Sequence, residues 1–237
     1  MKSIKFFVAA VRFKYLPLLM RLRMSVKSRG DIIVLGETWG AWKIPADLVN
    51  SSSVCYSVGV GQNTSFDEAL IDRFGCDVYA FDPTPGALAH APAVQVRQPK
   101  FHFHDVGVWD EDTTLKFFLP SIEGWDAYSA VNISKTDRFI ECKVERISTL
   151  MRRLGHDHID LLKIDVEGAE YRVLANLIAE RILPTVLAVE FDQPMPVHQT
   201  LEAVRKLIES GYDLVLIDLW NYTFVRSDAR KDVGITD

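Results

Sequence analysis

Carboxylates recur at the ends of apolar runs in this chain. Asp82 follows VYAF (Val78–Phe81), Asp105 follows FHFH, Asp165 and Glu167 follow LLKI, and Glu190 and Asp192 stand at the end of VLAVEFD. If each run is a parallel strand of one sheet, these acids gather at one rim, where they repel one another unless a partner or ligand intervenes. Upstream, Gly59 and Gly61 close the run that begins at Val54 and leave the backbone free to turn sharply. Asp82 comes 23 residues after Gly59. That is close to the roughly 20-residue offset at which a doubly wound sheet sets an acid against a ribose. Glycine turn and strand-end acid together point to a nucleoside-bearing cofactor.

The elements that must position these residues follow from periodicity. Val54–Val60 reads as a buried strand. Phe66, Ala69, Leu70 and Phe74 keep helical spacing, with Thr64 or Ser65 as the cap, Asp67 and Glu68 in the first turn and Gly75 as the stop. Val78–Phe81 is a second strand and Pro85–His90 a short helix. Phe101–Trp109 alternates as one third strand, and Thr114–Leu119 and Arg138–Val144 are further strands around a polar loop, Gly124–Ser134. Ile147–Leu154 reads as a helix, Ile159–Ile164 as the most apolar strand, Glu170–Glu180 as a helix, Val186–Phe191 as a strand and His198–Ser210 as a helix. Leu214–Leu219 and Thr223–Arg226 are joined too tightly to be anything but antiparallel. Strands alternating with helices predict an α/β fold: a Rossmann-like, doubly wound, mostly parallel sheet ending in an antiparallel hairpin. Asp31–Leu35 and Trp39–Ile44 predict a short β-hairpin before it. The chain divides into a basic helical arm with this hairpin, residues 1–50, and a cofactor-binding domain, residues 51–237.

Charge is uneven. Residues 1–30 hold eight Lys and Arg and no acid, leaving 19 basic against 32 acidic residues in the remainder. So acidic a body excludes a general nucleic-acid binder, because phosphate neutralisation supplies most of that affinity. Lys5, Arg12 and Lys14 interrupt every apolar run of the arm, so it predicts neither a signal peptide nor a spanning helix. Pro17 favours a helix packed on the domain, with a weak membrane-surface contact or self-association through the basic face as the alternative. Cys55, Cys76 and Cys142 show neither disulfide nor zinc spacing and read as reduced core thiols of a cytoplasmic protein.

Two cofactors compete for the glycine turn. A dinucleotide wants GxGxxG and a bare helix N-terminus for its pyrophosphate. Here the third glycine is replaced by Thr64, and Asp67 and Glu68 occupy the first turn. S-adenosylmethionine carries no phosphate and bears a sulfonium cation, which an acidic rim suits. An NAD(P)-dependent oxidoreductase is the first alternative.

The run LLKIDVEGAEYRVL (Leu161–Leu174) resembles the signature of the FkbM family of class I S-adenosylmethionine-dependent methyltransferases. YSVGVGQNTSFDEAL and VYAFDPTP are similar to the first two cofactor motifs of that family, and WNYTFVR to its closing strand. The resemblance implies that Gly59 and Gly61 let the backbone approach the cofactor and that Asp82 accepts both ribose hydroxyls. It places Asp105 and Val106 at the adenine and Asp165 at the methionine end, with Ser57, Asn63, Thr64 and Pro83 completing the motif set. Ser57 stands where class I enzymes often carry an acid. The implied reaction is O-methylation of a hydroxyl on a sugar or other small molecule or glycan. Asp165 and Glu190, ending adjacent strands, are the candidate bases, and His198 reads as a surface or capping residue. No metal is called for, although Asp165, Glu190 and Asp192 could hold Mg²⁺. A methyltransferase-like scaffold without catalysis is the remaining alternative.

Overall fold

The computed structural model describes residues 18, 20–120, 127–191 and 197–229. Strands β1 (Ile32–Leu35) and β2 (Trp42–Pro45) pair antiparallel as the expected hairpin. Trp39 falls in the 3₁₀ turn between them and not in the second strand. The chain then continues through β3 (Val54–Val58), α1 (Ser65–Phe74), β4 (Asp77–Phe81), α2 (Pro85–Arg97) and β5 (Phe101–His104). There follow β6 (Gly107–Val108), β7 (Thr113–Phe118), β8 (Phe139–Glu145) and α3 (Ile147–Leu154). Next come β9 (Leu161–Ile164), α4 (Glu170–Ala179), β10 (Val186–Glu190), α5 (Val197–Glu209), β11 (Tyr212–Asp218) and β12 (Asn221–Arg226).

The main sheet has the order β11-β12-β10-β9-β3-β4-β5. Its strands pair in parallel from β5 through β10, and β12 runs antiparallel between β10 and β11. Such a sheet is covered on both faces, which is why β3, β9 and β10 read as nearly unbroken apolar runs and not as alternating ones. One face packs Tyr56, Val58, Phe81, Leu162 and Ile164 against α3, α4 and α5. The other packs Cys55, Val78, Ala80 and Leu161 against α1, α2 and the β1–β2 hairpin. This is the Rossmann-like doubly wound sheet, with its terminal antiparallel hairpin in place. Strand order reverses between β3 and β9, the position where such folds bind ligands.

Three local readings are corrected. FHFHDVGVW is two strands: β5 closes the main sheet, and β6 pairs in parallel with β8 of a separate sheet of order β6-β8-β7. The chain changes sheets at Gly107, where a side chain would press on Val144, Phe117 and Pro83. Second, α2 runs past Pro92 to Arg97. Ala87, Ala91 and Val94 bury its inner face while Pro92 lies on the solvent side, so the helix loses one backbone bond without losing its packing. Third, Thr64 occupies the N-cap position of α1 as expected, but neither its side chain nor that of Ser65 makes the capping bond. The Ser65 amide donates to Asn63 Oδ1 at 3.1 Å, and the Thr64 hydroxyl is turned to Glu68 Oε1 at 2.8 Å and His90 Nε2 at 3.0 Å.

The described part of the N-terminal segment packs on the domain. Met20 is buried in the core, Arg21 donates to the Ile217 carbonyl, and Lys27 meets Asp213 Oδ1 at 2.6 Å along the edge strand β11. Among the described residues no helix is long and apolar enough to cross a membrane. Cys55, Cys76 and Cys142 are free and buried.

Candidate functional site

A cavity of about 700 Å³ opens above the C-terminal ends of β3, β4 and β9. Gly59 and Gly61 form its floor, both with positive φ (76° and 50°). Gly59 has no room for anything larger: a Cβ there would stand 1.7 Å from the Asp165 carbonyl oxygen. The turns that end β3 and β9 therefore touch backbone to backbone, and this contact brings the glycine turn and the DVEG run into one site.

Asp82 closes β4 at the second side of the cavity, with little of it exposed. Its Oδ2 accepts the Gly61 amide and its Oδ1 the Thr84 amide, each at 2.8 Å. The carboxylate thus ties the glycine turn to the start of α2, and each oxygen can accept a further bond from a ligand hydroxyl. Pro83 and Thr84 continue this wall.

Asp165 supplies the third side, its side chain 30% exposed. Glu167 follows in a left-handed conformation (φ 50°), and Gly168 (φ 95°) donates its amide to Glu170 Oε2 at 2.8 Å. Glu170 is fully buried and serves this turn. The small sheet makes the far wall: Gly107, Val108 and Phe117, with Ala127, Tyr128 and Ala130 from the loop beyond β7. That loop is anchored by the Phe118–Ser129 bridge and by the Ser129 hydroxyl, which donates to the Glu167 carbonyl at 2.5 Å. Trp39, 81% exposed, stands at the rim.

Of the sequence-derived residues, the cavity brings together Gly59, Gly61, Asp82, Pro83 and Asp165. Ser57 is buried beneath the floor, Asn63 is engaged at the start of α1, and Thr64 is buried between α1 and α2. Asp105 is exposed, and Val106 packs into the core; neither lines the cavity. His198 is exposed on the first turn of α5. Glu190 does not reach the cavity either. It faces Asp165 from the neighbouring strand, and burial beside the Asp165 and Glu167 charges pushes its carboxyl far above the ordinary carboxylic range. Glu190 therefore keeps its proton at neutral pH and stands behind Asp165 as a neutral group outside the cavity. Asp192 and Trp125 lie outside the described residues, among which no cluster of three or more His, Cys, Asp and Glu is arranged to hold a metal.

Sequence reasoning passed over Lys163. It sits in the middle of β9 at 5% exposure, with its ammonium 2.5 Å from the Gly59 carbonyl, 3.3 Å from Asp165 Oδ2 and 5.4 Å from the Trp42 ring centroid. The signal was available, since a lysine in an otherwise apolar parallel strand is rarely buried without a partner.

Chemically, the described lining carries Asp82, Asp165 and Glu167 and no Lys, Arg or His. Those carboxylates suit hydroxyls and a cation and supply no counter-charge to a phosphate.

The chain also resembles known proteins. Residues 57–214 match the Methyltransferase FkbM domain family. The human protein named "Probable methyltransferase-like protein 24" (Homo sapiens) is 26% identical over 183 residues, covering 77% of this chain and 42% of the relative. Its rat counterpart (Rattus norvegicus) is also 26% identical, over 75% of this chain and 40% of the relative. The chain thus spans about two fifths of the length of these curated relatives. Among solved structures, fibrillarin from Methanococcus jannaschii superposes with a TM-score of 0.45 at 11% identity, covering 86% of each chain. Fibrillarin from Aeropyrum pernix, solved with S-adenosyl-L-methionine natively bound, gives 0.44 at 12%, covering 77% of this chain and 68% of that one. With two thirds of its length inside the family match, and the DVEGAE run at the floor of its cavity, the chain belongs to the FkbM methyltransferase domain family.

Proposed function

We propose that the protein binds S-adenosylmethionine and methylates a hydroxyl oxygen of an uncharged small molecule or glycan. The observation that carries this reading is the charge of the cavity: three carboxylates, one at each of two strand ends and one just beyond, and no cation among the described lining residues. A dinucleotide would bring phosphates to these carboxylates and to an α1 start that holds Asp67 and Glu68. S-adenosylmethionine brings ribose hydroxyls and a sulfonium.

Asp82 would hold the ribose, Gly59 and Gly61 would allow close backbone approach, and Asp165 would stand toward the methyl-bearing end. The cofactor supplies an activated methyl group. The chain's own contribution is to align the acceptor and to hold its proton. Asp165 would take that proton, and its Oδ2 lies 3.3 Å from the Lys163 ammonium. Tyr128, Phe117 and Trp39 give the acceptor a largely apolar and aromatic wall. The absence of Lys, Arg and His from the described lining supports an acceptor without phosphate, sulfate or carboxylate. Three reduced, buried thiols support a cytoplasmic setting.

The test is calorimetry with S-adenosylhomocysteine, followed by tritiated-methyl transfer into fractionated extract and ion-exchange of the labelled product. Binding together with a labelled product that passes an anion exchanger is expected. A protein that binds NADH and not S-adenosylhomocysteine would overturn the reading.

A further inference from the structure

Beneath the cavity floor the Ser57 hydroxyl on β3 and the Asp67 carboxyl on α1 meet, each residue 1% exposed, and the hydroxyl stabilises the carboxylate. Neither Ser57 Oγ nor Asp67 Oδ1 has any other hydrogen-bond partner. The third member of the group is Lys163 on β9, whose charge acts on Asp67 and whose ammonium contacts the Gly59 carbonyl and Asp165.

A buried ammonium is costly unless it is compensated. Asp165 compensates it from the cavity side, but Asp165 is partly exposed and is the residue proposed to take up a proton there. An acceptor that gains a proton ceases to balance the lysine. A second carboxylate, sealed from solvent, removes that dependence. Ser57 stands at the strand position where an acid would face Lys163 directly: Ser57 and Lys163 are register partners on the adjacent strands β3 and β9. Among the described residues the acid that meets Ser57 comes from the helix, Asp67.

We infer that Asp67 is a positioning residue that supplies from α1 the carboxylate missing at Ser57. It turns a negative charge toward Lys163 beneath the floor, and through Lys163 it sets the Gly59 carbonyl and Asp165 for the cofactor. Burial raises the Asp67 carboxyl to about 6, with Lys163 and Ser57 opposing the rise and the neighbouring Glu68 adding to it. Buried Cys55, on the α1-facing side of β3, feels the same charge. Protonation of Asp67 in mild acid therefore removes the counter-charge of Lys163.

The inference rests on the proposed use of S-adenosylmethionine, and calorimetry with S-adenosylhomocysteine separates the two. Wild-type protein that binds none of it refutes the cofactor reading; the variants below then refute or support the Asp67 role through the melting temperature of the apo protein. Asp67→Asn keeps shape and removes charge, and it should weaken S-adenosylhomocysteine about tenfold or more. Moving the acid back to the strand, Ser57→Asp with Asp67→Asn, should recover affinity to within about threefold of wild type and restore apo stability. A double variant as weak as the single one, or a single variant that binds and melts as wild type, overturns the assignment. Should Asp67→Asn not fold, wild-type affinity measured from pH 5 to pH 8 still decides. It should fall as the pH drops through about 6, and a flat profile is incompatible with the role of Asp67.

Discussion

The carboxyls of Asp165 and Glu190 face each other from the ends of β9 and β10, and only Asp165 reaches the cavity. Glu190 keeps its proton because it is buried and lies beside the Asp165 and Glu167 charges. A neutral carboxyl thus backs the one that lines the cavity.

A consequence for stability follows. Glu190 binds its proton far more tightly in the folded chain than at the ordinary glutamate value of 4.5, up to about 9. Between those values the folded state holds more protons than the unfolded one, so stability falls as pH rises through this window and the full loss is reached above the folded value. Glu190→Gln, an isostere of the protonated acid, removes this term. Melting curves from pH 6 to pH 10 should show wild type losing more than the variant; parallel losses would place the sensitivity elsewhere.

Asp165→Asn should lower turnover by about a hundredfold or more while changing S-adenosylhomocysteine affinity little, since the proposed base works on the acceptor. Single-turnover methyl transfer beside calorimetry separates the two effects. Equal losses in both would make Asp165 a cofactor ligand only.

Asp82 has two tasks, and its variants should show both. Asp82→Ala leaves the Gly61 and Thr84 amides without their acceptor, at a cost of about 1–3 kcal/mol in chemical denaturation. It should also weaken S-adenosylhomocysteine about tenfold or more. Asp82→Asn keeps one acceptor oxygen and should fall between the two. Affinity unchanged in Asp82→Ala would remove the ribose assignment and leave only the structural role.

Gly59→Ala should be the most damaging change at the floor. The added methyl would collide with the Asp165 carbonyl, and φ of 76° is unfavourable for alanine as well. Loss of S-adenosylhomocysteine binding with a clear drop in melting temperature is expected. Wild-type behaviour would mean that the β3 and β9 turns separate more easily than their contact implies.

The charge of the cavity can be read without any acceptor. Trp39 is exposed at the rim, whereas Trp42, Trp109 and Trp220 are buried. Its fluorescence, isolated as the difference between wild type and Trp39→Phe, should be quenched more by caesium than by iodide, because a cleft of one charge sign concentrates its counter-ions. Stern–Volmer slopes that favour iodide would contradict the acidic lining.

Much of the fold was legible because parallel strands buried on both faces announce themselves as apolar runs, and the tight connection after Leu219 allows only an antiparallel return. The rim acids Asp82 and Asp165 were legible for the same reason: each ends such a run. What escaped depended on contacts between distant segments. FHFHDVGVW keeps strand-like alternation throughout, and only the crowding of Gly107 by Val144, Phe117 and Pro83 shows that it changes sheets. Asn63 and Thr64 look like cofactor residues beside a glycine turn, yet Asn63 is taken by the helix start and Thr64 by Glu68 and His90. Glu190 follows the pattern of the other acids, and only its packing behind Asp165 makes it a neutral group. Asp67 reads locally as a favourable first-turn charge; its meeting with Ser57 is a matter of how α1 lies on the sheet.

The Ser129 hydroxyl bonded to the Glu167 carbonyl joins the loop of the small sheet to the turn that carries Asp165. A substitution among residues 127–130 would thus be felt mechanically at Asp165, two residues from the anchored carbonyl. Recombining this wall with that of a relative should keep Ser129 and exchange its neighbours, or selectivity and turnover will shift together.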